Sequence, residues 1–525
     1  MAPKRKAKRE ESGLEGVVCL VGAGPGDPGL VTLQAVDLLN NCDVVVYDYL
    51  AHPSLLRAAP PDAERIYVGK QGGRHTLGQA EINQLLIDKA REGKIVVRLK
   101  GGDPYVFGRG GEEAEALVEA GVKFVTAPGV TAASGAGHYA GIPLTHRDYC
   151  ASLTLVTGHE DPNKAESNIP WDLLADPRGT VVFYMGVSQL EALAGRLVAH
   201  GRPPQTPCAL VEWATLPRQR VVEGTLADIA ARATEAGLAP PALFIVGEVV
   251  KLRPKLSWFE KAPLFGRRIV VTRARHQASD LTVMLEGMGA EVIEFPTIRI
   301  APPRRDKRLR EAAQLAGQYD WIVFTSANAV DRFIEVVLEE TGDIRGLGAA
   351  LLAAIGPATR EAVERYHLAV SLTPERYVAE EVVKAMKKTG DLRGQRILLP
   401  RAEEAREALP EGLTAAGAKV DVVAAYRTVA ETPENAKEVV AELLAGKIDA
   451  VTFTSSSTVT NFIKAVRRPR IAKIAEKTRF ASIGPITSET LRQNGLAPSV
   501  EAKDYTIEGL VAAVLKLLGR GKGGR

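Results

Sequence analysis

From residue 266 onward the chain repeats itself at a nearly fixed interval. Gly266-Arg-Arg-Ile-Val-Val-Thr-Arg-Ala274 returns as Gly394-Gln-Arg-Ile-Leu-Leu-Pro-Arg-Ala402, and Phe324-Thr-Ser-Ala-Asn-Ala-Val330 returns as Phe453-Thr-Ser-Ser-Ser-Thr-Val459. Ile355-Gly-Pro-Ala-Thr359 matches Ile483-Gly-Pro-Ile-Thr487, Tyr377 matches Tyr505, and the offset stays at 128 or 129 residues throughout. A repeat this long and this constant predicts two similar lobes. Two lobes imply a cleft, where ligands commonly sit.

The first half shows no such repeat but shares the same texture. Short β-rich runs (Val17–Val21, Val44–Tyr47, Ile95–Leu99, Val181–Tyr184, Leu243–Val246) alternate with helical spacing such as Val31/Ala35/Leu38/Leu39 and Ile82/Leu85/Leu86. That alternation predicts an α/β fold with parallel sheets throughout. The segment 252–263, with two prolines and the aromatics Trp258 and Phe259, reads as a linker. It separates a first domain at 14–251 (lobes about 14–127 and 128–251) from a second at 264–518.

Composition excludes several classes. With 46% hydrophobic and 25% charged residues among 525, there is apolar mass for several cores. No apolar stretch approaches a membrane span, and the start lacks the apolar segment of a signal peptide. Cys19, Cys42, Cys150 and Cys208 form no Cys-x-x-Cys pair, so reduced thiols in a cytoplasmic protein are expected. Residues 1–9 carry five Lys or Arg and residues 519–525 carry three, so the segment between has net charge −4 although the whole chain has +4. The tails at 1–13 and 519–525 therefore read as solvated basic ends, and the body carries no footprint for nucleic acid. His138, His146 and His159 lack metal-ligand spacing, so no metal site is expected.

Three small-residue loops dominate the first half. Gly22-Ala-Gly-Pro-Gly-Asp-Pro-Gly29 follows the first strand, but Asp27 stands where a dinucleotide fingerprint needs its third glycine. Lys100-Gly-Gly-Asp-Pro-Tyr-Val-Phe-Gly-Arg-Gly-Gly-Glu-Glu113 follows another strand and opens a helix, and Pro128-Gly-Val-Thr-Ala-Ala-Ser-Gly-Ala136 supplies the third. Each alone is explicable as a tight turn. Three together point to backbone that approaches a ligand closely.

These loops, with Val46-Tyr-Asp48, Val68-Gly-Lys70, Gly141-Ile-Pro-Leu-Thr-His-Arg147, Tyr184-Met-Gly186 and Pro241-Ala-Leu-Phe-Ile-Val-Gly247, resemble uroporphyrinogen-III C-methyltransferase over roughly 16–251. The resemblance implies the two-lobed tetrapyrrole methylase fold, a homodimer through this half, and S-adenosylmethionine in the interlobe cleft. It puts donor contacts on Pro25, Gly101, Gly102, Asp103, Val106, Thr131, Ala132, Met185 and Ala214. It makes Asp48 the base and Lys70 the proton donor; without it they read as a helix cap and a surface charge. Gln71, where the family often has Arg, and Tyr105, where it often has Phe, depart from the pattern on the substrate side.

In the second half, Ser326 and Ser455 end apolar strands before helical patterns, as N-caps do. Gly356-Pro357 and Gly484-Pro485 repeat that chemistry, and polar helix starts suit a polycarboxylate ligand. These blocks, with Ala425-Tyr-Arg-Thr428 and Tyr505-Thr-Ile-Glu-Gly-Leu510, resemble uroporphyrinogen-III synthase over roughly 263–518. The resemblance implies an internally duplicated α/β synthase fold that needs no cofactor, with Tyr426 as proton donor to the departing hydroxyl. It implies substrate contacts from Ser326, Thr359, Ser455, Thr487, Tyr505 and Thr506. The expectation is a bifunctional enzyme of tetrapyrrole biosynthesis acting on small molecules, without nucleic-acid or membrane partners. The rivals are an NAD-dependent oxidoreductase fused to a two-lobed ligand-binding module, which Asp27 disfavours, and a solute-binding protein in the second half.

Overall fold

A computed structural model describes residues 15–69, 77–159, 168–273, 279–433 and 435–519. Lys70, Gln71, the tail at 1–13 and all of the C-terminal tail but Gly519 lie outside the described residues. The chain forms two compact units, residues 1–266 and 267–525.

The first unit contains two five-stranded sheets. One is built from β1 (Val17–Gly22), β2 (Val44–Tyr47), β3 (Glu64–Tyr67), β4 (Ile95–Lys100) and β5 (Lys123–Ala127), in the order β3-β2-β4-β1-β5. Every pairing in it is parallel. Alternate residues of β1 serve opposite faces: Val17, Cys19 and Val21 enter one apolar cluster, Val18 and Leu20 another. This is why the run is apolar without interruption.

The other sheet holds β6 (Ser152–Thr157), β7 (Gly179–Tyr184), β8 (Pro207–Glu212), β9 (Arg220–Thr225) and β10 (Ala242–Val246), ordered β6-β7-β10-β8-β9. Here the expectation of parallel strands fails. Only β6–β7 is parallel, whereas β10 runs antiparallel to β7 and β8, and β8 antiparallel to β9. The link between β8 and β9 spans only 213–219, too short for the crossover that parallel neighbours require.

Residues 252–263, read above as a linker, contribute short helices at Arg253–Leu256 and Phe259–Lys261 to the first unit. The Arg253 side chain donates to the Ala140 carbonyl at 2.7 Å, Glu223 at 2.9 Å and Glu260 at 2.7 Å. Trp258 packs tilted and Phe259 edge-to-face against Tyr139, with centroids 5.2 and 4.8 Å away.

The second unit also has two five-stranded sheets, and they do not correspond to the two sequence repeats. Its strands are β11 (Arg268–Val271), β12 (Glu291–Glu294), β13 (Ile298–Ala301), β14 (Trp321–Phe324), β15 (Leu351–Ala354), β16 (Arg396–Ala402), β17 (Lys419–Ala430), β18 (Ala450–Phe453), β19 (Arg479–Ser482) and β20 (Val500–Glu501). They order as β12-β11-β18-β19-β20 and β13-β17-β16-β14-β15. Each lobe therefore draws strands from both copies. β11 takes β18 as its parallel neighbour, Ile269 opposite Ala450, and Thr272 donates to the Thr452 carbonyl at 2.7 Å. The antiparallel β13–β17 pair carries the chain between lobes, and beside it Glu431 N–H donates to the Thr297 carbonyl at 3.0 Å. Among the described residues no helix is long and apolar enough to cross a membrane.

Candidate active sites

The three glycine loops of the first unit converge on one point. Ala23 N–H donates to the Lys100 carbonyl at 2.7 Å, and Gly24 and Gly102 exchange backbone bonds at 3.2 and 2.7 Å. A methyl group on Gly129 would lie 2.2 Å from the Gly102 carbonyl oxygen and 2.8 Å from Gly22 Cα. Backbone meets backbone there, so no neighbour can move aside. Gly129→Ala is expected to cost about 1–3 kcal/mol in urea unfolding. Gly111→Ala, whose methyl meets nothing within 4 Å, should cost nothing; equal stability of the two variants would refute the packing argument.

Around this junction gather the positions expected to hold the donor. Gly102 faces Thr131 and Ala132, and Pro25 packs on Gly135. Val106, Ala132, Tyr184 and Ala214 share one apolar cluster. Gly101 abuts Leu50, which brings the turn after Asp48 beside the second loop. Asp103 is spent on the protein itself: one carboxylate oxygen accepts from Tyr105 N–H at 2.8 Å, the other from Gly129 N–H at 3.0 Å. It thereby staples the second loop to the third. Met185 is half exposed, and a cavity of about 450 Å³ opens beside Thr131 and Ala133, lined also by Pro143, Leu144 and Thr145. Phe107, Arg109, Met185, Trp213 and Thr215 all have φ between +46° and +72°. Left-handed backbone at non-glycine residues is costly and concentrates at ligand clamps.

Asp48 follows β2 and is not a helix cap. One carboxylate oxygen accepts from Leu50 N–H at 3.1 Å, and the other from Arg98 Nη2 at 3.2 Å. Arg98, buried in β4, also donates to Glu113 Oε1 at 3.2 Å and to the carbonyl oxygens of Leu99 and Val46 at 3.2 and 3.5 Å. Lys100, two residues on, reaches the same Glu113 oxygen at 2.7 Å, and Gln79 reaches it at 3.2 Å. Glu113 is wholly buried, and its second oxygen has no hydrogen-bond partner among the described residues. Burial, followed by the neighbouring Arg98 charge, holds the Lys100 ammonium below its ordinary pKa. Burial and the Asp48 charge raise the phenols of Tyr49 and Tyr67.

Other site residues escaped the sequence reading. Tyr184 OH contacts Thr131 Oγ1 at 2.6 Å and accepts from Ala133 N–H at 3.0 Å, fixing the third loop. Tyr139 OH donates to Asp27 at 2.5 Å, and Thr215 accepts from Asp27 N–H at 2.9 Å. The available signal was charge where none belongs: Arg98 and Lys100 interrupt an otherwise apolar strand.

In the second unit the predicted residues fall into two sets, one on each lobe. Ser326 caps the helix Ala327–Thr341, its hydroxyl accepting from Ala329 N–H at 3.3 Å. That hydroxyl also lies 3.1 Å from Tyr426 OH, so the proton-donor candidate and the cap meet. Thr359 is buried in the helix Pro357–Glu364 of the same lobe. On the other lobe Ser455 caps Ser456–Val466, and Thr506 caps Ile507–Leu518 by accepting from Gly509 N–H at 3.1 Å. Thr487 is buried, and Tyr505 is exposed against Gly484. Arg401, buried at the end of β16, is bound by Glu407 and the Arg406 carbonyl. The described residues contain no cluster of three or more His, Cys, Asp or Glu suited to a metal, and all four cysteines are buried and free.

Comparison with known proteins assigns a family to each unit. Residues 17–230 match the family model for tetrapyrrole (corrin/porphyrin) methylases, and residues 279–512 match that for uroporphyrinogen-III synthase HemD. The uroporphyrinogen-III C-methyltransferase of Bacillus subtilis (strain 168) is 42% identical over 361 residues, 69% of this chain and 74% of that one. A crystal structure of uroporphyrin-III C-methyl transferase from Thermus thermophilus with S-adenyl homocysteine covers 45% of this chain and 98% of its own, at 42% identity and a TM-score of 0.39. The porphyrin biosynthesis protein HemD of Ruminiclostridium josui is 37% identical over 505 residues, 96% of this chain and 98% of that protein. By that near-complete likeness the chain belongs to the porphyrin biosynthesis family that joins an N-terminal tetrapyrrole methylase to a C-terminal uroporphyrinogen-III synthase.

Proposed function

We propose that the chain carries out two consecutive steps. The second unit closes hydroxymethylbilane to uroporphyrinogen III with inversion of ring D. The first unit then methylates that product twice, with S-adenosylmethionine, to give precorrin-2. The observation that carries this reading is the joining of both families in one chain over nearly the full length of a relative.

The first unit's residues suit S-adenosylmethionine, a ligand with a nucleoside, a carboxylate and an activated sulfonium. A methyl on Gly101 would lie 2.5 Å from Leu50 Cβ, and Gly102 has a left-handed φ of +68° beside Thr131 and Ala132, while Asp103 already has two N–H partners; with Met185 and Ala214, these are the positions that we assign to the donor. Bound there, the cofactor supplies a methyl that needs no activation, so the chain's task is orientation. Asp48 takes the proton that leaves the pyrrole as its β-carbon is methylated. Arg98 keeps that carboxylate aimed.

In the second unit Tyr426 donates a proton to the departing hydroxyl, with Ser326 beside it at 3.1 Å. Water leaves, and the substituted α-carbon of ring D attacks the resulting electrophilic carbon to give a spiro intermediate; the bond from that ring D carbon to the ring C bridge then breaks, and the bridge rejoins ring D at its free α-carbon, which loses its proton. The regiochemistry follows from holding one conformation of the chain. Tyr426→Phe is expected to slow closure about 10²-fold, the low end for a general acid because the departing hydroxyl needs only modest help, read by the rate of porphyrinogen formation; an unchanged rate removes Tyr426 from the mechanism.

Incubation with hydroxymethylbilane, with and without S-adenosylmethionine, tests both halves. Type III uroporphyrinogen without the cofactor, and a dimethylated product by mass with it, are the expected results. Absence of either product overturns the assignment of that half.

A further inference from the structure

We infer that Tyr377 is a substrate-binding residue of the synthase half, the counterpart of Tyr505, and that each of the two rings seats one pyrrole of the linear tetrapyrrole. This rests on the synthase reading above and extends it to a residue the family motifs leave unassigned. Three observations carry it.

The first is the seat. Tyr377 lies against Gly356, and Tyr505 against Gly484. A methyl on Gly356 would lie 3.2 Å from Tyr377 Cγ, and one on Gly484 would lie 3.1 Å from Tyr505 Cδ1. Both glycines come one isoleucine after a strand, β15 in one lobe and β19 in the other, and both precede a proline that starts a helix. The two lobes thus present a tyrosine at the same place, at the carboxyl end of their sheets, where α/β folds bind ligands.

The second is exposure. Tyr377 is 48% and Tyr505 58% exposed, and among the described residues neither phenol has a hydrogen-bond partner. Each ring lies against its glycine while about half of the residue stays exposed, which leaves ring surface and hydroxyl for a ligand.

The third is what differs between the copies. The residue after each tyrosine begins a helix: Thr506 caps Ile507–Leu518 with its side chain, whereas Val378 makes no side-chain cap to Ala379–Thr389. The capping chemistry has diverged and the tyrosine has not. A side-chain cap is therefore not what both positions share.

The ligand chemistry fits. A pyrrole is a flat, electron-rich ring carrying carboxylate arms; a tyrosine face stacks on the ring, and the phenol donates to a carboxylate. A substrate made of repeated pyrroles matches a site made of repeated tyrosines. Holding two rings on two lobes brings the ends of an open chain under common control.

The test uses the full chain and measures initial rates of closure against hydroxymethylbilane concentration, together with the type I to type III product ratio. Tyr377→Ala is expected to raise KM about tenfold and to raise the share of spontaneously formed type I product. Tyr377→Phe, which keeps the ring and loses the hydroxyl, should fall between wild type and Ala. Tyr505→Ala should behave like Tyr377→Ala, and methylation of supplied uroporphyrinogen III should be unchanged in all three. A wild-type KM in Tyr377→Ala overturns the inference, as does a lowered Tm with KM unchanged. If the wild-type chain itself fails to close hydroxymethylbilane, the synthase reading falls instead.

Discussion

Asp48→Ala is expected to bind S-adenosylmethionine with about wild-type affinity and to lose methyl transfer by about 10²-fold to 10⁴-fold, the usual range for removal of a positioned base. The donor site proposed above rests on the three glycine loops, whose mutual contacts do not involve Asp48. Asp48 instead stands at the end of β2, with one oxygen on Leu50 N–H and the other on Arg98. Its removal should therefore separate binding from chemistry. Titration calorimetry with the cofactor and product mass after incubation with uroporphyrinogen III make the comparison. Asp48→Asn, which retains an acceptor for Leu50 N–H, guards against a simple collapse of the turn. Undiminished turnover in both variants would remove Asp48 from the reaction.

Glu113→Ala should have the largest effect on stability. Arg98 and Lys100 converge on one oxygen of this fully buried carboxylate. Without it Arg98 keeps only Asp48 as a counter-charge, and Lys100 loses its direct partner. Breaking a buried ion pair from one side typically costs about 3–5 kcal/mol, because an uncompensated charge stays behind. For a unit of this size the first unfolding transition should fall by on the order of 10 °C. Glu113→Gln keeps the shape and one acceptor, and should lie between. A Tm within about 2 °C of wild type in Glu113→Ala would show that the two cations find water or other partners.

Much of the local structure around the proposed sites was readable before the fold. The glycine loops had a physical signature, since backbone can press on backbone only where side chains are missing, and Gly22, Gly102 and Gly129 are in mutual contact. Ser326 and Ser455 were readable as caps because an N-cap is a local event. The failures share one cause: a partner distant in sequence. An offset of 128 or 129 residues reports that two segments are alike and is silent about which strand each adopts as neighbour, so the exchange of strands between repeats was not visible. The antiparallel pairings of β10 depend on a neighbour chosen across the sheet. The Arg98–Glu113–Lys100 cluster joins a strand to a helix, and only the misplaced charges in β4 hinted at it. Residues 252–263 had the composition of a linker, yet Arg253 and Trp258 tie them down through bonds to residues 138–140, more than a hundred positions away.

The strand exchange in the second unit also sets a timetable. Residues 1–266 have all their sheet partners once they have been synthesised. β11 does not: it pairs early with β12, but its other edge waits for β18, with bonds that span 180 to 182 residues. At about 5–20 residues per second that wait lasts roughly 10–40 s, during which an apolar strand edge stays open to the wrong partner. The methylase half is thus free to finish while the ribosome is still working, and the synthase half is the part of the chain that a newborn molecule most needs help to protect.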